Sequence, residues 1–275
     1  MARIQDQIVL QTRGLSVGYD GNPLVQGVEI EVRLGEVVTL IGPNGAGKST
    51  ILKTLAGQLA PCGGVVYLSG RDLSGLSPAQ LARELSVLLT DRVRTDLLTC
   101  MDVVEMGRHP HTGRLGILSD GDRAKVRAAM ELVNVWELRH RDFMRLSDGQ
   151  RQRVMLARAI CQEPRVLILD EPTNYLDIRY QIELLDILRR LVGRREMGIV
   201  MSLHELPLAR VVSDWVVCVK NGAVMAQGRA DEMFVSQTID ELYDLEPGSF
   251  DPATGGIRLP VRTDGLGAAE GKAHQ

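Results

Sequence analysis

Residues 42 to 50, GPNGAGKST, satisfy the spacing G-x-x-x-x-G-K-[ST] and stand between an apolar run, VVTLIG, and a helix-like stretch, STILKTLAG. Gly42, Gly45 and Gly47, with Pro43, Asn44 and Ala46 between them, give the backbone the freedom to curl its amides around phosphate oxygens. The helix start that follows adds the positive end of its dipole; Lys48 reaches the outer phosphates, and Ser49, followed by Thr50, can hold Mg2+. A glycine-rich strand-to-helix turn with a chance Lys-Ser is the bland alternative, and the agreement of motif with flanking elements argues against it. Such a loop needs a second group for the metal and a base for water. The run VLILDE delivers Asp170 to the end of a buried strand, where ligands sit in open α/β sheets. Asp170 would hold Mg2+ through water, and Glu171, facing another side, would polarise an attacking water. A helix-start pair before Pro172 explains the same two acids less well beside a phosphate loop. His204 ends a similar run, GIVMSLHE; a lone histidine there is more often structural, and only its place one strand after the acids raises it.

A third candidate lies about 100 residues past the loop, in RLSDGQRQRVMLARA at 145 to 159. Ser147 and Gln150 have the spacing of a capping box, which starts a helix without any ligand. Gly149 has no use in a cap, and Asp148 suits a helix N-terminus.

Elements able to position these groups are legible along the chain. Residues 8 to 42 alternate and carry turn signals, YDGNP and RLGE, between β-rich runs. From about 74 to 163 apolar residues recur three or four apart, which predicts a mostly helical insertion. RVLILDE and GIVMSLHE, separated by the helix-like IRYQIELLDILRRLVGR, have the rhythm of buried parallel strands with a crossover helix. WVVCVKNGAVMAQG predicts a hairpin at Asn221-Gly222, and from about Pro247 the chain is rich in Gly, Pro and Ala, with the end beyond about Arg262 expected to be disordered.

Bulk properties exclude several classes. A 275-residue chain that is 44% hydrophobic with a net charge of −3 has the material for one large core or two small ones. Its Lys and Arg residues are dispersed, which argues against a nucleic-acid partner. Cys62, Cys100, Cys161 and Cys218 are far apart and form no C-x-x-C, so neither a zinc site nor a disulfide framework is supported and a reducing cytosol fits. No stretch approaches the roughly 20 apolar residues that cross a bilayer, so work at a membrane requires a partner.

Taken in order, the phosphate loop, helical insertion, LSDGQ, VLILDE, NYLD at 174 to 177 and His204 resemble the ATPase subunits of ATP-binding cassette (ABC) transporters, over roughly residues 8 to 228. The resemblance implies an α/β fold: a P-loop NTPase core with a parallel sheet, an antiparallel β lobe and a helical insertion. Residues 1–246 would form the ATPase domain, with the helical lobe at about 92–164, and 247–275 a partly disordered C-terminal extension. It further implies a head-to-tail homodimer in which each ATP lies between one subunit's phosphate loop and Ser147, Asp148, Gly149 and Gln150 of the other. Ser147 and Gly149 would touch the γ-phosphate, whereas Asp148, standing where glycine is usual, would point away. Tyr19 matches the aromatic that stacks on adenine, Glu171 the general base, His204 the switch histidine and Asp177 the acid of a dimer-contacting loop, where Tyr175 replaces a smaller residue. Thr90 stands where the family carries a metal-sensing glutamine, and would fill that role more weakly.

Gly107, Arg108, Pro110 and His111 match a G-R-x-P-[HYW] pattern that resembles importer ATPases for ferric siderophores, haem and cobalamin, although Gly107 and Pro110 also end a helix by local chemistry alone. His109 and His111 lack further ligands for a metal site. The implied function is the energy-coupling ATPase of an importer, with an exporter ATPase and, further off, a non-transport cassette as alternatives. Implied partners are integral-membrane permease subunits and, through them, a periplasmic or surface substrate-binding protein, with the chain peripheral on the cytoplasmic face of the membrane.

Overall fold

Alternating residues make β1 (Ile8–Tyr19) and β2 (Asn22–Val28) a hairpin turned at Asp20 and Gly21, whose φ values of 50° and 77° place both in the left-handed region. This is a computed structural model, and it describes residues 7–89, 97–113, 116–174, 176–194 and 196–258; Thr90, Tyr175 and the tail from 259 lie outside the described residues. β3 (Glu31–Arg33) pairs with the start of β1, and β4 (Val37–Ile41), buried at every position, leads through the phosphate loop into α1 (Lys48–Leu55). β5 (Gly63–Leu68) and β6 (Arg71–Asp72) complete an antiparallel lobe in the order β6-β5-β1-β2.

Next come α2 (Pro78–Glu84) and β7 (Leu85–Leu88). The helical periodicity expected from 74 onward is therefore broken by a strand, because four residues, Leu85–Leu88, are too few to carry a period that separates strand from helix. The helical lobe follows with α3 (Cys100–Glu105), α4 (Asp120–Leu132) and α5 (Asp148–Cys161), each opened by a capping box: Thr99 with Asp102, Ser119 with Asp122, Ser147 with Gln150. The chain then alternates through β8 (Val166–Asp170), α6 (Ile178–Gly193), β9 (Gly198–Ser202), α7 (Leu206–Val212) and β10 (Trp215–Lys220). β11 (Ala223–Arg229) returns along β10 through Asn221 and Gly222, both at positive φ, before α8 (Ala230–Met233) and α9 (Ser236–Leu242). Among the described residues no helix is long and apolar enough to cross a membrane.

β7, β8, β9, β4 and β10 run parallel in that order. Their side chains alternate between two cores. Leu167, Leu169, Ile199 and Met201 join the core shared with the helical lobe, whereas Val166, Ile168 and Val200 join the one under α1, where Ile51, Leu52 and Leu55 pack. Each such buried side chain contributes about 1.5–3 kcal/mol. Asp170 and Ser202 continue the second set, which puts both on the face that carries α1.

Candidate active site

The phosphate loop is shaped by what surrounds its glycines. Gly42 has φ 145°, and a Cβ there would lie 2.1 Å from the Val219 carbonyl oxygen; Gly47 has φ 102°, and a Cβ would lie 2.3 Å from Val25 Cγ2. At Gly42 a larger residue would have to move the β10 backbone, and at Gly47 it would have to displace the Val25 side chain, with both φ values left-handed besides. Asn44 and Gly45 are exposed at the crest, Pro43 is half-buried, and Ala46 is buried, its amide closing a turn on the Pro43 carbonyl at 3.3 Å. Lys48 is buried and donates to the carbonyls of Gly42 at 2.7 Å and Pro43 at 3.0 Å. Burial pulls its ammonium below the usual lysine value, with the Glu171 and Asp170 carboxylates opposing that shift.

The strand ends converge beside the loop. Asp170 Oδ1 accepts from Ser49 Oγ at 3.1 Å and from Ser202 Oγ at 2.7 Å. Ser202 Oγ in turn accepts the Glu171 amide at 2.9 Å. Glu171 adopts φ 49°, a left-handed conformation that costs a non-glycine residue on the order of 1–3 kcal/mol. The reversal sends its side chain away from that of Asp170: Glu171 Oε1 meets His204 Nε2, and Glu171 Oε2 accepts from Asn174 Nδ2. His204 and Glu171, expected only to belong to one site, are thus direct partners.

Ser202 and Asn174 were not singled out by sequence. Ser202 was visible as the polar residue two before His204 in an otherwise apolar strand, and Asn174 as a side-chain donor three residues after the acid. Two further ties brace the loop after Glu171. Glu205 accepts from Thr173 Oγ1 at 3.0 Å and Gln181 Nε2 at 3.2 Å, and Gln152 of α5 donates to the Pro172 carbonyl.

Tyr19 is 51% exposed at the end of β1, with its hydroxyl 3.4 Å from Thr50 Oγ1, so its ring stands over the start of α1. The 147–150 segment is not drawn into this cluster. Ser147 Oγ accepts the Gln150 amide at 3.3 Å, Gln150 Oε1 accepts the Ser147 amide at 3.2 Å, and Asp148 Oδ1 accepts from Arg151 at 3.3 Å. Ser147 and Asp148 are exposed, and Asp177 caps α6 by accepting the Tyr180 amide at 3.2 Å. Residues 107–111 form a tight turn in the helical lobe. A Cβ on Gly107 would lie 2.4 Å from the Arg158 carbonyl oxygen. Arg108, 3% exposed, donates to Asp122 at 2.9 Å, to the Cys161 carbonyl at 2.7 Å and to Glu163 at 3.0 Å, and His111 Nε2 lies 2.8 Å from the Gln162 carbonyl oxygen. This segment ties α5 to the start of α4, and among the described residues no group of three His, Cys, Asp or Glu is placed to hold a metal.

Residues 25–174 match the family model described as ABC transporter. The chain belongs to the ABC transporter ATP-binding family. It is 38% identical to the cobalamin import ATP-binding protein of Halobacterium salinarum over 95% of this chain and 66% of that protein. It is 36% identical to the iron(3+)-hydroxamate import ATP-binding protein of Bacillus subtilis over 86% of this chain and 88% of that one. Its fold matches the crystal structure of the ADP conformation of an ABC transporter cassette with a TM-score of 0.75, at 22% identity, covering 87% of this chain and 99% of that chain. This ABC ATPase therefore has the family's α/β cassette fold and its ATP-hydrolysing activity; cassettes of the family work as dimers and, in importers, with membrane permeases.

Proposed function

We propose that the chain is the ATP-hydrolysing, energy-coupling subunit of an importer for an iron chelate, a ferric siderophore or haem, or for cobalamin. The observation that carries this reading is that the two relatives reported, which cover 86% and 95% of this chain, are importer cassettes for an iron chelate and for cobalamin. The 107–111 segment lends less to it, since every polar contact of Arg108 is architectural.

Hydrolysis divides among the residues described. Phosphate-loop amides and Lys48 bind the outer phosphates, and Tyr19 stacks on adenine. Glu171, held at one carboxylate oxygen by His204 and at the other by Asn174, takes a proton from the water that attacks the terminal phosphorus, giving ADP and inorganic phosphate. The donor set beside the loop is oxygen only, Ser49 hydroxyl and Asp170 carboxylate, which fits Mg2+. Those two residues would hold the ion, Asp170 through water, and Mg2+ would supply charge neutralisation on the phosphate oxygens. Ser147 and Gly149 complete the site of a second copy in a head-to-tail dimer, with Asp148 turned aside toward Arg151. That dimer sits on the cytoplasmic face of the membrane beneath permease subunits fed by a substrate-binding protein.

Inverted vesicles or proteoliposomes carrying the full complex test the assignment. ATP-dependent movement of labelled ferric siderophore, haem or cobalamin toward the side that bears this chain is expected. Movement in the opposite direction, or none for all three cargo classes, would overturn it.

A further inference from the structure

Gly42 is gripped on every side that it presents. Its carbonyl accepts from Lys48 at 2.7 Å, its Cα faces the Val219 carbonyl too closely for a Cβ, and its amide donates to the Tyr243 hydroxyl at 3.2 Å. The last contact reaches the loop from a segment that lies outside residues 25–174, the part matched by the family model.

Tyr243 directly follows α9, and the surrounding chain fixes where its hydroxyl stands. Asp240 accepts from Ser236 Oγ at 2.7 Å, the Gly248 amide at 2.7 Å and the Phe250 amide at 2.8 Å. Phe250 is 1% exposed. Lys220, next to the β10–β11 turn, donates to Asp244 at 2.7 Å and to the Glu241 carbonyl. The phenol ring packs on the core that also holds Phe250, and burial pushes its hydroxyl up to about 12. It stays neutral, so it accepts a hydrogen bond without placing a negative charge beside a polyphosphate.

We propose that Tyr243 is a positioning residue for the phosphate loop: its hydroxyl anchors the Gly42 amide, so that the C-terminal segment sets how well ordered the loop is before ATP arrives. A phosphate-binding loop gains affinity when its turns are ordered in advance, because the ordering entropy is then not charged against binding. Anchoring Gly42 at amide and carbonyl leaves the amides further along the loop to the ligand. The effect falls on binding of ground state and transition state alike, hence on KM more than kcat. This inference rests on the reading of GPNGAGKST as the ATP site.

Tyr243→Phe in the full chain keeps the ring and removes the hydroxyl. A rise of about three- to tenfold in the KM and Kd for ATP is expected, with kcat within about twofold. Amide hydrogen exchange should quicken in the peptide carrying Gly42 and stay parental elsewhere, while the melting temperature without nucleotide falls by no more than about 4 °C. Unaltered KM and unaltered exchange overturn the proposal. So does a KM rise accompanied by a lowered melting temperature and faster exchange throughout the chain, which is general destabilisation. Tyr243→Leu isolates the ring: if Leu raises KM and Phe does not, ring packing carries the effect and the proposal falls. Lys48→Ala separates the two readings. Parental ATP binding in that variant overturns the ATP-site reading and this one with it; binding lost there but unaltered in Tyr243→Phe overturns this one alone.

Discussion

Glu171 is a non-glycine residue of the site held in left-handed backbone, and its side chain is bonded at both oxygens. The left-handed turn at φ 49° follows directly on a buried strand, and its cost is met by the Ser202 hydroxyl on the Glu171 amide at 2.9 Å and by the Asn174 amide on the Glu171 carbonyl at 3.1 Å. That geometry aims neighbouring acids in different directions, one toward α1 and one toward His204. Glu171→Gln keeps the shape and removes the proton acceptor. Hydrolysis should fall at least about 100-fold while ATP affinity stays within a few fold, read by phosphate release and equilibrium ATP binding. Hydrolysis at the parental rate would remove Glu171 as the base.

Among the elements, the helical lobe depends on one buried guanidinium. Arg108 bridges Asp122 at the start of α4, the Cys161 carbonyl at the end of α5, and Glu163 beyond it. Truncating it removes a donor from Asp122 Oδ1 and from the Cys161 carbonyl, so Arg108→Ala should destabilise the chain by about 2 kcal/mol in denaturant unfolding. A loss below about 1 kcal/mol would mean that these contacts are dispensable. Asp122 offers a second test. The Ser119 hydroxyl, then the Ser119 amide, then the Arg108 guanidinium hold its carboxyl down at about 2, below the about 3.9 of an unfolded chain. A carboxyl depressed on folding stabilises fully above its unfolded pKa, and that contribution fades as pH falls through its folded one. Asp122→Asn should therefore melt below the parent at pH 6, with the gap closing between about pH 4 and 2. A gap that does not change with pH would assign the effect to shape rather than charge.

For the whole molecule, the proposed dimer has to join two sets of residues that do not bond to each other within one copy. Within the chain, Ser147, Asp148 and Gln150 bond to their own helix start, away from the phosphate loop. A second copy brings the two sets together in the proposed arrangement. Glu171→Gln should form an ATP-dependent dimer visible by light scattering, and adding Ser147→Arg should leave it monomeric while ATP still binds. A dimer that persists in the double variant would overturn the composite site. The C-terminal segment is tied both to the core and to the phosphate loop, since Phe250 lies in the core and Tyr243 bonds the first glycine of the loop.

Sequence by itself named the candidates for catalysis and determined the parallel core, the turn at YDGNP and the hairpin at Asn221-Gly222. Each of those rests on local chemistry: glycine spacing, apolar runs that deliver an acid to a strand end, and residue pairs that tolerate positive φ. The capping box at Ser147 was equally legible, because its partners are three residues apart. What needed the tertiary structure was every pairing between distant segments. Ser202 on Asp170, His204 on Glu171, Tyr243 on Gly42 and Arg108 across the helical lobe join residues 32, 33, 201 and 14 to 55 positions apart. Residue type marks such groups as able to bond, but only the order of strands in the sheet and the packing of α5 and α9 decide with whom. Periodicity alone hid β7, since Leu85–Leu88 becomes a strand by lying against β8 rather than by any period of its own, whereas the family resemblance, which starts the helical lobe at about 92, left these residues outside it.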